Sequence, residues 1–273
     1  MSLTLTEKND LLVKSINIKK RFITMYYKAN AGHIGSSLSC AEILTYIHFK
    51  LMTKQDELIL SKGHAAASLY SLLAEGGILS EKDIDTFYKN GTYLAAHPPA
   101  NKINKIPFAT GSLGHGLSIA AGFGFAGKLK KNGKQAFVVC SDGELNEGST
   151  WEAALFICHH NLNNVVLFID RNKLQGFGST EDIMKMDPLQ DKLLAFGFDV
   201  LTIDGHDFSE FETIKAFRES AKKPVAVICN TIKGNGWVEQ ENKLACHYIP
   251  FKQEEYENIM ASFNNELASI KNH

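Results

Sequence analysis

No stretch of this chain approaches the ~20 consecutive apolar residues that a membrane-spanning helix requires. The opening segment, Met1 to Arg21, is polar and charged with no continuous apolar core, so it does not read as an export signal either. Cysteine offers no usable pattern: Cys40, Cys140, Cys158, Cys229 and Cys246 are odd in number, and none forms the close pair that zinc binding or redox exchange uses. Such thiols suit a reducing compartment, and a soluble cytoplasmic protein is expected. An excess of one charge is also missing. With 29 basic and 30 acidic residues the formal net charge is -1, which gives no broad pull toward nucleic acid or an anionic membrane. The short basic run from Lys128 to Lys134 reads as a solvated helix end. No repeat, low-complexity tract or long Pro/Gly/Ser linker interrupts the chain, so residues 1–273 are expected to form one α/β domain.

What is present is an alternation. Strand-like runs rich in β-branched or large apolar residues recur at Glu57 to Leu60, Ala136 to Cys140, Val165 to Asp170, Val200 to Asp204 and Val225 to Asn230, with helical stretches between them. Three helix starts carry a short polar residue followed three positions later by an acid: Ser39 with Glu42, Ser80 with Asp83, and Asp207 with Glu210. Near-continuous apolar strands alternating with helices predict a parallel sheet covered by helices on both faces. The carboxyl ends of such strands form the ligand crevice.

Two strand ends carry chemistry. The run Ala136 to Cys140 leads into Ser141, Asp142, Gly143 and Glu144, before a helix expected from about Glu147 to His160. Thirty positions after Asp142, the next strand leads into Asp170, Arg171, Asn172, Lys173 and Leu174. An isolated Asp-Gly is ordinarily a β-turn and an isolated Asn a loop or cap. Together they place a carboxylate and an amide oxygen at neighbouring strand mouths, where Mg²⁺ takes few protein oxygens plus phosphate and water. Gly143 lets backbone approach a diphosphate, and the following helix is expected to offer its N-terminal amides.

An acid and Gly after one strand, then Asn after the next, resembles the pattern of thiamine-diphosphate enzymes. The resemblance implies a diphosphate-binding (PP-type) domain in which Asp142, Asn172 and the carbonyl of Leu174 ligate Mg²⁺, and Gly143 and Asn172 touch the diphosphate. Ser141 stands where that family usually has Gly. Further motifs resemble transketolases, from the first helix to about Pro250. Ala31-Gly32-His33-Ile34-Gly35 is similar to an early loop whose His contacts substrate, with Ile34 in place of Pro. Leu60-Ser61-Lys62-Gly63-His64 is similar to a segment whose His lies by the cofactor, and His97-Pro98 to a further active-site His. Thr110-Gly111-Ser112-Leu113-Gly114 resembles the loop whose backbone meets the aminopyrimidine side of the cofactor; here Ser112 replaces a common Pro. Thr231-Ile232-Lys233-Gly234-Asn235-Gly236 followed by His247 resembles a closing loop and its substrate-facing His.

The resemblance implies a two-carbon ketol transfer from a ketose, expected to be phosphorylated, to an aldose. His33, His64, His97 and His247 are its candidate catalytic residues, as neutral-to-cationic imidazoles. His64, Gly111, Ser112, Leu113, Gly143, Asn172 and His247 are candidate cofactor contacts. His48, His159, His160, His206 and His273 carry no such context and are read as structural. No role is assigned to His115. Glu147 and Glu152 match acids at the transketolase subunit interface, against the simpler reading of solvated helix acids. The string Gly122, Gly124, Gly127 imitates a dinucleotide fingerprint, but it sits inside the helical stretch Gly116 to Lys128 rather than at a strand-to-helix turn. Small residues at Gly116, Ala120 and Gly124 are expected to let that helix pack closely on a neighbour.

After His247 only one amphipathic segment, Gln253 to Ile270, remains. That is too short for the pyrimidine-binding domain which supplies the family's activating Glu. A separate C-terminal subunit is therefore expected, in an α2β2 assembly. Two other readings stay open: a split subunit of another thiamine-diphosphate enzyme, such as a 2-oxo acid dehydrogenase, and a non-catalytic assembly subunit that keeps the fold.

Overall fold

The five strand-like runs all become strands, because their apolar side chains can point alternately into two cores, one on each face of a sheet. In a computed structural model describing residues 3–271, they are β1 (Glu57–Leu60), β2 (Ala136–Ser141), β3 (Val165–Arg171), β6 (Asp199–Asp204) and β7 (Val225–Asn230). A two-stranded hairpin, β4 (Leu174–Gln175) and β5 (Gly178–Ser179), adds to the expected set. The large sheet is parallel throughout, in the order β1-β2-β3-β7-β6. Its register sets Ser141 beside Asp170 and Arg171 beside Asn230, so all carboxyl ends open on one edge. His273 lies outside the described residues.

Among the described residues the α-helices are α1 (Leu5–Ala29), α2 (Ile34–Ser39), α3 (Ala41–Tyr46), α4 (Ala66–Glu75), α5 (Glu81–Ile84), α6 (Gly116–Lys130), α7 (Gly148–His159), α8 (Thr180–Ile183), α9 (Leu189–Phe196), α10 (Phe208–Phe211), α11 (Thr213–Ser220) and α12 (Gln253–Lys271). Phe137, Val139, Val166 and Phe168 turn toward a core shared with α1 to α5 and α10 to α12. Val138, Cys140, Leu167 and Ile169 turn the other way, toward α6, α7 and α9. Helices therefore cover both faces, as the apolar runs require. Among the described residues no helix is long and apolar enough to cross a membrane.

Local expectations fare unevenly. The box at Ser80 forms in both directions, with Asp83 accepting from the Ser80 amide at 2.8 Å and the Asp83 amide reaching Ser80 Oγ at 3.2 Å. Asp207 caps α10 through the Ser209 amide, but Glu210 turns back to the Asp204 amide instead of closing the box. Ser39 caps nothing: it is the last residue of α2, and its hydroxyl donates to Asp170 across the core at 2.6 Å. Glu42 is likewise committed, to Lys19, Ser15 and His206. Burial against charged partners outweighs a cap that solvent could otherwise provide.

Candidate active site

Asp142 and Asn172 emerge from β2 and β3 side by side, both buried. The Asp142 carboxylate accepts the Gly143 amide at 2.8 Å and the Lys173 amide at 2.5 Å, while Asn172 Oδ1 accepts the Leu174 amide at 3.1 Å. Leu174 lies with them along the wall of one cavity. Burial, reinforced by the neighbouring Asp170, pushes Asp142 up to about 7, against the Lys173 and Gly143 amides and the charge of Lys233. One carboxylate, one amide oxygen and one carbonyl are hard donors of the kind Mg²⁺ takes, so the residues fit the ion. Among the described residues no group of three His, Cys, Asp or Glu side chains is placed to hold a metal ion. Lys233, buried and pressed down to about 8 by burial and by Lys62, donates to the Leu174 carbonyl at 2.9 Å. A cation there would share that oxygen through its second lone pair.

Beneath the donors lies an ion pair between Lys62 and Asp170, both at 0% side-chain exposure. Burial works against both charges, but each holds the other ionised, and Ser39 and Thr231 add hydrogen bonds to the carboxylate. Lys62 also donates to the Ser36 carbonyl at 2.9 Å. The pair ties the ends of β1 and β3 to α2 and to the loop after β7.

The four predicted histidines converge on the same cavity. Ring centroids lie 5.6 Å apart for His33 and His64, 6.2 Å for His33 and His97, 5.2 Å for His33 and His247, and 5.6 Å for His64 and His247. His33 adopts φ 70°, a left-handed conformation that non-glycine residues rarely hold and that is enriched at functional sites. Its amide donates to the His247 carbonyl at 2.9 Å, which fixes the two loops together. Burial lowers all four imidazoles: His64 well below its ordinary value, His247 to about 3 with Lys233 adding to the effect, and His33 and His97 to a lesser extent. Burial therefore favours the neutral form in all four. Lys233 Nζ sits 2.9 Å from His247 Nδ1. An ammonium donor there leaves the imidazole hydrogen on Nε2.

The loop Thr110–Gly114 closes the opposite wall. A side chain at Gly63 would strike the Gly111 amide at 2.7 Å, and one at Gly111, where φ is 146°, would strike His97 at 2.9 Å. Only glycine allows these loops to interlock. Gly111 and Leu113 line the cavity of about 250 Å³ together with Gly143 and all four histidines, whereas Ser112 turns outward and is exposed. The resemblance assigns Ser112 a contact through its backbone, which the direction of its side chain does not touch. The helix after Gly143 stands where expected, α7 running from Gly148 to His159 with Glu147 and His160 as its caps, and a 3₁₀ turn over Gly143–Asn146 joins it to Asp142.

Sequence reasoning missed Lys62, Lys233, Ser36, Gln175 and Tyr248, which share this wall. The two lysines had a signal, since each stands directly before a glycine inside one of the transketolase-like motifs. Tyr248 had none; its hydroxyl donates to the Gly176 carbonyl at 2.6 Å, a contact across 72 residues. The other described histidines stay outside the cavity. His206 bridges Glu42, the Ile232 amide and Asn235, and His48, His159 and His160 pack on aromatic neighbours. His115 is exposed, its ring 3.1 Å from the Leu113 carbonyl. A larger cavity of about 850 Å³ lies at α1, where Arg21 and Lys28 are already paired with Glu75, Glu81 and Asp85.

Residues 13–268 match the family model described as transketolase, thiamine diphosphate binding domain. The chain is 35% identical over 271 residues to one of the subunits of the apulose-4-phosphate transketolase of Phocaeicola vulgatus, covering 96% of each chain. It is 35% identical to the 6-deoxy-6-sulfo-D-fructose transketolase subunit SqwG of a Clostridium species, covering 95% of this chain and 98% of that one. Human transketolase is also 35% identical, but over 89% of this chain and only 40% of its own length. The solved transketolase of Campylobacter jejuni superposes with a TM-score of 0.81 at 27% identity, over 96% of this chain and 48% of that one. The chain thus spans about half the length of the solved transketolase it matches. By its sequence, its fold and the family model it matches, this chain belongs to the transketolase family, as a thiamine diphosphate binding domain.

Proposed function

We propose that this chain is the diphosphate-binding subunit of a two-chain transketolase, transferring a two-carbon ketol unit from a ketose to an aldose with thiamine diphosphate and Mg²⁺. The observation that carries the reading is the meeting of four neutral imidazoles with three hard oxygen donors in one cavity at the sheet's carboxyl edge. The Asp142 carboxylate, the Asn172 amide and the Leu174 carbonyl would hold the ion. Lys233 would face the diphosphate as its counter-charge. Bound thiamine diphosphate would supply the electron sink for breaking and making the carbon–carbon bond. The imidazoles of His33, His64, His97 and His247 would bind sugar hydroxyls and move protons on them in a site largely shielded from water.

Two related subunits of nearly this length are named for substrates bearing a phosphate or a sulfonate. The cations on this cavity wall are Lys62, already paired with Asp170, and Lys233, beside the metal donors. An anionic sugar tail would therefore be gripped by the partner, a separate C-terminal chain with the pyrimidine-binding domain. Phe177, 85% exposed at the tip of the β4–β5 hairpin and lining the cavity mouth, suits contact with such a chain. The assembly would be α2β2 and cytoplasmic. A 2-oxo acid dehydrogenase subunit fits the histidine set poorly, and a scaffold has no use for it.

The test is an assay of the purified chain across ketose donors with cofactor and Mg²⁺, with and without a pyrimidine-domain chain. Mass spectrometry excludes a co-purified partner. No ketol transfer is expected from the chain alone, and restoration is expected on adding the partner. Robust turnover by the isolated chain would refute the two-chain reading.

A further inference from the structure

We propose that Glu144 is a positioning residue of this site, whose buried carboxylate fixes the glycine loop Thr110–Gly114 against the turn that carries Asp142. The inference rests on the cofactor reading proposed above. Glu144 is fully buried, one residue beyond Gly143. Its partners are polar donors from three separate segments. Oε1 accepts the Gly114 amide at 2.8 Å and a short hydrogen bond from the Ser61 hydroxyl; Oε2 accepts the Ser141 amide at 3.3 Å. Ser61 Oγ in turn accepts the Gly116 amide at 3.1 Å, and Ser149 Oγ donates to the Gly114 carbonyl at 2.9 Å. Gly114 is thus held by both its donor and its acceptor.

A buried carboxylate is costly, and an apolar side chain would give the core more stability. The two carboxyl oxygens together accept the Gly114 and Ser141 amides and the Ser61 hydroxyl, an arrangement that no apolar side chain can supply. The loop it holds has little stiffness of its own, since Gly111 and Gly114 both adopt positive φ. That loop forms the cavity wall facing Asp142 and Gly143, and Ser61 precedes the segment bearing Lys62 and His64. Glu144 therefore sets the spacing between the metal donors and the wall that would meet the cofactor's ring.

The experiment uses the full chain with its partner, and calorimetry of thiamine diphosphate binding at saturating Mg²⁺. Wild type is compared with Glu144→Gln, whose amide nitrogen would confront one of the loop donors, and with Ser61→Ala. Glu144→Gln is expected to weaken cofactor binding by about 10- to 100-fold, the usual range for a residue that orients a binding group from behind. Ser61→Ala should weaken it several-fold. With cofactor saturating, kcat should fall while KM for the ketose stays near wild type. Before any cofactor is added, amide hydrogen exchange at Gly114 should accelerate in both variants while that of the sheet amides does not, and Ser61→Ala carries the test should Glu144→Gln fold poorly. A lower melting temperature with cofactor affinity and Gly114 exchange unchanged would make Glu144 merely structural and overturn the proposal. Wild type that binds no thiamine diphosphate would instead defeat the cofactor reading, and this inference with it.

Discussion

At the scale of single residues, the site is built from groups held away from their comfortable states. Asp142 is pushed up to about 7 by burial and by Asp170, against the two backbone amides that it accepts. Asp142→Ala is expected to abolish Mg²⁺-dependent cofactor binding while leaving the fold intact. Unchanged cofactor affinity in calorimetry would remove Asp142 from the metal site. His247 is positioned through its ring: Lys233 meets Nδ1, leaving the hydrogen on Nε2. His247→Ala should lower turnover by roughly 10²-fold or more, the usual weight of a placed proton-transfer group, and cofactor affinity much less. A collapse of affinity with normal single-turnover chemistry at saturating cofactor would reverse that assignment.

At the scale of elements, the helix α6 shows how glycine spacing acts. A side chain on Gly124 would press into Val165 of β3 well inside van der Waals contact, whereas Gly122 faces open space. Gly124→Ala is expected to destabilise the chain by about 1–3 kcal/mol through overpacking. Gly122→Ala should stabilise it by about 0.5–1 kcal/mol through helix propensity alone. Denaturant midpoints moving the same way for both would show that α6 is not pressed on the sheet as described. The position of Gly124 inside a helix was legible because no strand precedes it at the spacing a phosphate loop needs. The five strands were legible for a similar reason: two buried faces leave an uninterrupted apolar run. Ser39 and Glu42 misled because a cap and a buried network use the same residue types, and only the fold brings Asp170, Lys19 and His206 within reach. Lys62 and Asp170, 108 positions apart, could not be paired from spacing alone.

At the scale of the whole molecule, the histidine set makes stability depend on pH. His33, His64, His97 and His247 stay neutral in the fold at pH values where an unfolded imidazole, near 6.5, already takes a proton. Their contribution is thus fully present above pH 6.5 and is lost as pH falls, for His247 down to about 3. Asp142 and Glu144 act in the opposite sense, because carboxyls raised by burial favour the folded state as they protonate. Total stability sums these opposing slopes, so the informative quantity is a difference between two proteins. In the isolated chain without cofactor, the stability of wild type minus that of His247→Ala is expected to be flat above about pH 7. Below that it should decline steadily toward about pH 4.5, because the variant has no ring that the fold must keep neutral. Chemical denaturation at half-unit pH intervals measures it. A difference that stays constant or grows on acidification would mean that the fold tolerates a charged His247. Burial beside Lys233 would then not be what sets its state.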